Sequence, residues 1–225
     1  KAVEAILSVG KNGSMLPHEA TAQLLGAYGF ACAEFKIASD ADEAASAAAK
    51  IGYPVILKGI APDIAHRSDA GLVSGKIDDE AALRRSFTTL QRNVGTHARV
   101  EVSVERYLPH DFEVILGVKY DETFGPVVLC GLGGIFTEVL KDYALRLAPL
   151  TRTQAEDMLS SLKTFAALKK STNGTAHIES IIEKIVDLSN LAVDLRGRIR
   201  AVDINPIGIT LGSPAITVLD AKTHL

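Results

Sequence analysis

The sequence has few of the features that mark a nucleic-acid-binding or membrane protein. Its 225 residues include no tryptophan, and aromatic residues make up only 5% of them. The 24 Lys and Arg residues against 27 Asp and Glu residues give a net charge of −3 without a basic tract, which argues against nucleic acid as a main partner. No apolar stretch approaches the roughly 20 residues of a membrane-spanning helix. We therefore expect partners other than nucleic acids and membranes.

Cysteine is also scarce, and its positions indicate the compartment. Cys32 and Cys130 lie far apart and belong to no CxxC pattern, so we expect small buried apolar side chains in a reducing environment and no structural zinc. Residues 1–17 lack the apolar core and cleavage site of a signal peptide. We expect a cytoplasmic protein and, since the sequence starts without methionine, one piece of a longer polypeptide.

The common nucleotide-binding and hydrolase motifs are missing. The glycine cluster at 131–134 is followed by Ile135 and Phe136, so it lacks the Lys-Ser/Thr pair of a P-loop. Phe136 also stands where a dinucleotide-binding fingerprint has its third glycine. No HExxH metal motif and no GxSxG nucleophile motif occurs. Any activity must therefore depend on residues spread along the chain.

The sequence does contain a pattern of helices and strands in two halves. Helical spacing predicts helices near 17–28, 40–51, 79–93, 153–169 and 177–195. Short apolar runs predict strands at 31–38, 54–57, 72–77, 99–104, 112–119, 126–129, 199–204 and 215–219. We expect an α/β (α+β) fold of two lobes, 1–104 and 105–225, with a nucleotide-sized cleft between them.

Lys58 is the first candidate site residue. It ends the apolar run PVIL and precedes the segment 59–71, which has no clear helix or strand pattern. A cation at a strand end beside a long loop is well placed to bind phosphate. The alternative is a solvated lysine that only terminates the strand.

His66 lies within this same segment, among charged and polar neighbours: Asp63, Arg67, Ser68 and Asp69. A neutral imidazole is nucleophilic near pH 7 and can accept a phosphoryl group, while a neighbouring carboxylate orients its ring. The alternative is an ordinary surface histidine in a loop.

Asp203 and Asn205, in the sequence Asp-Ile-Asn-Pro, are candidate metal ligands. Two residues apart in a strand, they would share one face, about 6.6 Å apart along it. Such oxygen ligands suit Mg²⁺, which takes one or two ligands from a protein and fills the rest with water and phosphate. Asp220, which follows the apolar run ITVL, would add a carboxylate from a neighbouring strand. The alternative is an Asx turn at a strand end.

Taken in order, these segments resemble the ATP-grasp domain of NDP-forming acyl-CoA synthetases. That group includes ADP-forming acetyl-CoA synthetase and is similar to the β subunit of succinyl-CoA synthetase. The resemblance covers nearly the whole chain and rests on GYPVILKG, PDIAHRSDAGLV, VERYLPHDFEVILGV, FGPVVLCGLGGIFTEV, LRLAPL and DINPIGI. It implies a two-lobed ATP-grasp fold with the nucleotide in the cleft.

The resemblance also implies which residues bind the nucleotide. Lys58 would bind the ATP phosphates, Glu105 would lie at the adenine hinge, and Glu113 would bind the ribose. Glu138 and Arg146 would line the phosphate end of the cleft.

By the same resemblance, Asn205 and Asp220 would carry Mg²⁺, with Asp203 as a further ligand. His66 is similar to the loop histidine that carries phosphate in ADP-forming acetyl-CoA synthetases. The implied reaction converts a small carboxylic acid, CoA and ATP into acyl-CoA, ADP and phosphate.

The CoA-binding and ligase parts of this family are absent from these residues. We therefore expect a CoA-binding domain or α subunit as the partner, and a chain that binds ATP and is phosphorylated without making the thioester itself. Two alternatives remain open. One is an ATP-grasp carboxylate–amine ligase or carboxylase-type domain without a phosphohistidine, and the other is a non-catalytic nucleotide-sensing module.

Overall fold

The computed structural model describes residues 2–11, 13–60, 70–94, 101–133, 141–171, 176–211, 213 and 215–225. The chain forms two compact units, Ala33–Leu108 and the larger combination of Lys1–Cys32 with Pro109–Leu225. Each unit has its own hydrophobic core. The predicted bounds, 1–104 and 105–225, differ from this division because they assign the N-terminal helices to the first lobe.

The N-terminal helices belong to the larger unit because they pack on its C-terminal strands. These helices are α1 (Ala2–Leu7) and α2 (His18–Ala27). Leu24 and Leu25 of α2 are completely buried in the larger core. The last residue also pairs with the N-terminal segment, since the Gly13 N–H donates to the Leu225 carbonyl at 3.0 Å. Local periodicity contains no information on such distant partners.

The smaller unit is a three-stranded antiparallel sheet with two helices. Its strands are β1 (Phe35–Ala38), β2 (Val55–Ile60) and β3 (Glu101–Arg106), in the order β1-β3-β2. Its helices are α3 (Ala41–Ile51) and α4 (Glu80–Val94). The helix predicted near 40–51 is confirmed as α3, and the Asp40 carboxylate caps it by accepting the N–H groups of Asp42 and Glu43. The helix ends at Gly52, whose φ of 88° suits glycine.

The predicted strand at 72–77 is wrong as a continuous strand. Only isolated bridges form along the edge of β2, between Val73 and Lys58 and between Ile77 and Val55. Between them, the Ser74 side-chain oxygen accepts the Leu57 N–H at 2.8 Å. A side-chain acceptor there takes the place of a backbone carbonyl and interrupts the ladder.

The larger unit is built on an antiparallel sheet. Its strands are β4 (Phe112–Asp121), β5 (Gly125–Leu132), β6 (Tyr143–Leu147), β7 (Ala201–Ile209), β8 (Ile216–Val218) and β9 (Ala221–His224). The order is β6-β5-β4-β7-β8, and β9 also pairs with β7. The remaining helices in the described residues are α5 (Arg152–Ser160), α6 (Phe165–Ser171) and α7 (Ala176–Asp194). Strands β6 and β9 were not predicted.

Strand β7 contains a β-bulge that keeps its apolar side chains on one face. Leu116 of β4 pairs with Ile204 of β7. The next inward-facing pair is Val114 with Ile207. The step to it from the first pair is two residues along β4 but three residues along β7. All four side chains are buried in the larger core. The extra residue in β7 therefore falls at 205–206, within the Asp-Ile-Asn-Pro motif.

The two cysteines differ in their environments. Cys130 in β5 is completely buried, as predicted, and burial raises the pKa of its thiol to about 12. Cys32 is only partly buried, so the prediction of two buried cysteines is wrong for this one. In the described parts of the chain, none of the helices has the length and hydropathy that a bilayer crossing requires.

Asp142 explains why the predicted helix at 153–169 is two helices. Its buried carboxylate accepts the N–H groups of Lys163 and Thr164 at 2.9 Å each, and also the Thr164 hydroxyl. These bonds hold the chain in a break between α5 and α6. Burial raises the pKa of the Asp142 carboxyl, but the hydrogen bonds from Thr164 and Lys163 outweigh burial and hold the pKa below its usual value.

We expect Asp142→Ala to lower the free energy of unfolding by about 1–3 kcal/mol at neutral pH, because three donors lose a buried acceptor. Since the folded-state pKa is depressed, the contribution of this carboxylate is present above the pKa of the unfolded chain, about 4. It is lost as the pH falls through the folded-state pKa. Urea unfolding of both proteins over this pH range measures the difference.

The control is Thr223→Val, which removes a buried hydroxyl without a hydrogen-bond partner in the described structure. This change should be neutral or stabilising at every pH. If the cost of Asp142→Ala did not shrink at low pH, the carboxylate would not be the charged acceptor inferred here.

Candidate functional site

In the smaller unit, Lys58 and Glu105 form a buried ion pair. The Lys58 Nζ lies 2.8 Å from the Glu105 Oε2, and the two residues are 8% and 3% exposed. They lie on adjacent strands, where Lys58 pairs with Ser103 in the register of β2 and β3. The interpretation of Lys58 as a solvated strand end is therefore wrong, and β2 continues past it to Ile60.

The ammonium of this ion pair has donors that could also bind an anion. Two charges removed from water are costly unless each is paired, so an ammonium in such a place needs its carboxylate. A lysine ammonium carries three N–H donors and can bind Glu105 together with a phosphate oxygen. The pair thus holds the Lys58 ammonium in a defined position on β2.

In the larger unit, the predicted residues of β4 and β7 share one face of the sheet. Val114 of β4 and Ile204 of β7 point into the core, so their neighbours in the alternation, Glu113, Asp203 and Asn205, lie on the opposite face. The bulge at 205–206 preserves this arrangement. The structure thereby places three of the candidate residues on the same face of the sheet.

Asn205 and Asp220 are direct neighbours in this sheet. The Asn205 N–H donates to the Asp220 carbonyl at 3.0 Å, immediately before β9 begins. Asn205 is exposed and Asp220 is half-buried, so neither side chain is committed to the core. An amide and a carboxylate so placed fit the one or two protein ligands that Mg²⁺ takes.

Asp203 has a different setting from these two residues. It pairs with Lys222 of β9, which brings a cation opposite its carboxylate. Within the described residues, no three His, Cys, Asp or Glu side chains cluster as a metal site. The geometry thus favours Asn205 and Asp220 as the pair that could hold a metal.

Glu113 has a glycine as its neighbour on each side in the sheet. The Gly133 N–H donates to the Glu113 carbonyl at 2.7 Å, and a Cβ on Gly133 would lie 2.6 Å from the Glu113 Cβ. On the other side, Glu113 pairs with Gly208 of β7. His110, which was not predicted, contacts Glu113, with its Nε2 2.9 Å from the Oε1. The sequence signal that could have predicted this contact is the His-x-x-Glu spacing in VERYLPHDFEV.

Arg146 is not brought together with these residues. It pairs with Val128, whose side chain is buried on the core face of the sheet. Its guanidinium lies 2.9 Å from the Asp157 carboxylate of α5. His66 and Glu138 lie outside the described residues.

Known proteins resemble this chain along nearly its full length. The family model described as the ATP-grasp domain matches residues 8–225. Subunit β of acetate–CoA ligase (ADP-forming) I from Pyrococcus furiosus is 36% identical over 212 residues, covering 92% of this chain and 91% of that subunit.

Solved structures match equally completely. Acetyl-coenzyme A synthetase 1 from Ca. Korarchaeum cryptofilum, in complex with coenzyme A, Ca-AMPCP and HgCl⁺, is 28% identical with a TM-score of 0.88, and 100% of each chain is covered. A second structure of that protein holds coenzyme A and Mg-AMPPCP, and its phosphohistidine segment points towards the nucleotide-binding site. Its TM-score is 0.77 at 27% identity, with 100% of this chain and 98% of that chain covered.

We expect Glu105→Leu to lower the free energy of unfolding by about 3–5 kcal/mol, because it leaves the Lys58 ammonium buried without its carboxylate. The double variant Lys58→Met with Glu105→Leu removes both charges and should be more stable than Glu105→Leu alone. Urea unfolding of the three proteins at neutral pH measures the difference.

An exposed pair gives the matched control. The Arg198 guanidinium and the Glu4 carboxylate lie 2.9 Å apart with side chains about half exposed. Glu4→Leu should change stability by less than about 1 kcal/mol. A double variant less stable than Glu105→Leu would contradict the view that the main cost is the buried Lys58 charge left without the Glu105 carboxylate.

Proposed function

The chain belongs to the ATP-grasp domain family, and we propose that it is the ATP-binding part of an ADP-forming acid–CoA ligase. The observation that carries this proposal is the match of nearly the whole chain to a β subunit of such a ligase. The overall reaction would convert a carboxylic acid, CoA and ATP into acyl-CoA, ADP and phosphate. The acid and CoA would be bound by a CoA-binding domain or α subunit outside these residues.

In this proposal, the smaller unit binds the triphosphate through Lys58. Its ion pair with Glu105 fixes the ammonium on β2, so the cation does not have to be ordered when the nucleotide arrives. Phosphoryl transfer needs positioning and charge neutralisation more than covalent help from the protein. The Lys58 ammonium would supply part of this neutralisation through a hydrogen bond to a phosphate oxygen while it stays paired with Glu105.

The larger unit would bind the rest of the nucleotide. Glu113 would accept hydrogen bonds from the ribose, and Asn205 with Asp220 would hold Mg²⁺. When bound, Mg²⁺ would neutralise phosphate charge during transfer. Because β7 pairs with β9 and the Asn205 N–H donates to the Asp220 carbonyl, the backbones of the two ligands are held beside each other.

His66 would be the phosphate acceptor. A nitrogen of its neutral imidazole attacks the γ-phosphorus, the bond from the γ-phosphorus to the β,γ-bridging oxygen breaks, and ADP leaves. The phosphohistidine would then transfer its phosphoryl group to the carboxylic acid in the partner part, and the acyl phosphate would react with CoA.

We expect γ-labelled ATP and Mg²⁺ to label this chain, in the presence of its CoA-binding part, with a phosphate that survives alkali and is lost in mild acid. His66→Asn should abolish the label and leave the affinity for ATP unchanged, because the imidazole is an acceptor and not a binding group. Scintillation counting and calorimetry measure the two quantities.

His224→Asn is the matched control, since His224 is exposed at the end of β9. It should be labelled like the wild type. Full labelling of the His66→Asn protein would exclude the phosphohistidine route. A ligase that phosphorylates its carboxylate substrate directly would then account better for the chain.

The metal assignment predicts a specific shift in Mg²⁺ dependence. Asn205→Ala with Asp220→Ala should raise the Mg²⁺ concentration needed for half-maximal nucleotide binding at least about tenfold, because two ligands are lost. Asp203→Asn should change it much less, since Asp203 lies opposite Lys222 in the register of β7 and β9 and not beside Asp220. Calorimetric titration of ATP at increasing Mg²⁺ measures both effects. An unchanged Mg²⁺ requirement in the double variant would show that the metal is held elsewhere.

A further inference from the structure

His110 and Glu113 form a contact that the proposed nucleotide-binding, metal-binding and phosphate-accepting roles do not explain. The His110 Nε2 lies 2.9 Å from the Glu113 Oε1, and the side chains are 28% and 34% exposed. A carboxylate only accepts hydrogen bonds, so the Nε2 carries the proton and donates it. His110 thus occupies one oxygen of the carboxylate and leaves Oε2 as the acceptor for a ligand.

The backbone on both sides of His110 is tied to the end of β7. The Thr210 hydroxyl donates to the Pro109 carbonyl at 2.8 Å. The Asp111 N–H donates to the Ile209 carbonyl at 2.8 Å, and the Asp111 carboxylate accepts the Leu211 N–H at 2.7 Å. Because residues 109 and 111 are both anchored, the backbone that carries the His110 imidazole is held in place. It is therefore well suited to hold a second side chain in place.

Glycines on the neighbouring strands leave room for this pair. A Cβ on Gly208 would lie 3.2 Å from the His110 Cβ and 2.9 Å from the Leu219 Cδ1. A Cβ on Gly133 would lie 2.6 Å from the Glu113 Cβ and 3.2 Å from its Oε2. Any side chain at either position would displace the pair or its neighbours. The sheet is thus shaped around one arrangement of His110 and Glu113.

We propose that His110 is a positioning residue that holds the Glu113 carboxylate so that Oε2 accepts a hydrogen bond from a ribose hydroxyl. This inference rests on the proposed function, in which Glu113 binds the ribose of ATP. A glutamate side chain has considerable rotamer freedom, and a carboxylate held before binding loses less of it when the nucleotide arrives. His110 thereby contributes to the preference for ribonucleotides over deoxynucleotides.

Two variants separate the hydrogen bond from the volume of the ring. His110→Gln keeps an N–H donor at a similar reach, whereas His110→Leu keeps the bulk without a donor. The assembled enzyme is titrated with ATP, 2′-deoxy-ATP and 3′-deoxy-ATP in the presence of Mg²⁺ by calorimetry. His224→Leu, at an exposed position, is the control and should match the wild type.

We expect the wild type to prefer ATP over at least one deoxynucleotide. His110→Leu should reduce that preference about five- to tenfold by weakening ATP alone, because the deoxynucleotide lacks the hydroxyl that Glu113 reads. His110→Gln should retain most of the preference. This split between nucleotides is one that a merely structural role would not produce.

Three results would overturn the proposal in distinguishable ways. Equal weakening of all three nucleotides by His110→Leu would make the histidine a structural residue only. An unchanged preference in His110→Leu would show that Glu113 needs no positioning. A wild-type protein that binds none of the three nucleotides would instead reject the proposed function on which the inference rests.

Discussion

Strand β7 is the constraint on which the larger unit depends. It pairs with β4 along one edge, and with β9 and then β8 along the other. The core requires apolar side chains on one face along its whole length, and a proline interrupts that alternation in the middle. The bulge at 205–206 resolves the conflict by adding one residue on the β7 side.

The polar face of the sheet follows from the same bulge. Because the inward positions stay in phase on both sides of it, the outward positions do too, and Asp203, Asn205 and Glu113 lie on one surface. The bulge also falls where β8 gives way to β9, which makes Asp220 the neighbour of Asn205. The Asp-Ile-Asn-Pro motif therefore supplies candidate ligands and also contains the bulge that keeps the apolar side chains of β7 in the core.

The parts of the fold that the sequence predicted well are those set by local chemistry. The helix predicted near 40–51 is one of them, because its cap at Asp40 and its end at Gly52 each involve residues within one helical turn. The resemblance of ordered segments predicted the ATP-grasp family, and the match over residues 8–225 confirms it. The nucleotide roles of Lys58 and Glu113 remain proposals that the geometry accommodates.

The structural features that the sequence did not predict depend on residues far apart along the chain. The burial of Lys58 requires β3, which begins more than forty residues later, and its pairing with Glu105 has no local signal. The break between α5 and α6 depends on Asp142, which precedes both helices and β6. The helices α1 and α2 join the larger unit through partners near the other end of the chain.

The pairing of the N-terminal segment with the last residues affects how the chain folds during synthesis on the ribosome. The smaller unit, Ala33–Leu108, is one continuous stretch and emerges complete before the first strand of the larger sheet. The larger unit has to wait for its last residues, since Leu225 pairs with Gly13 and Ser14. Domains fold as units during translation, so α1 and α2 leave the ribosome before the smaller unit and yet are among the last elements of these residues to find their partners. The nascent chain must therefore keep the apolar side chains of α2, such as Leu24 and Leu25, from aggregating while the smaller unit is already folded.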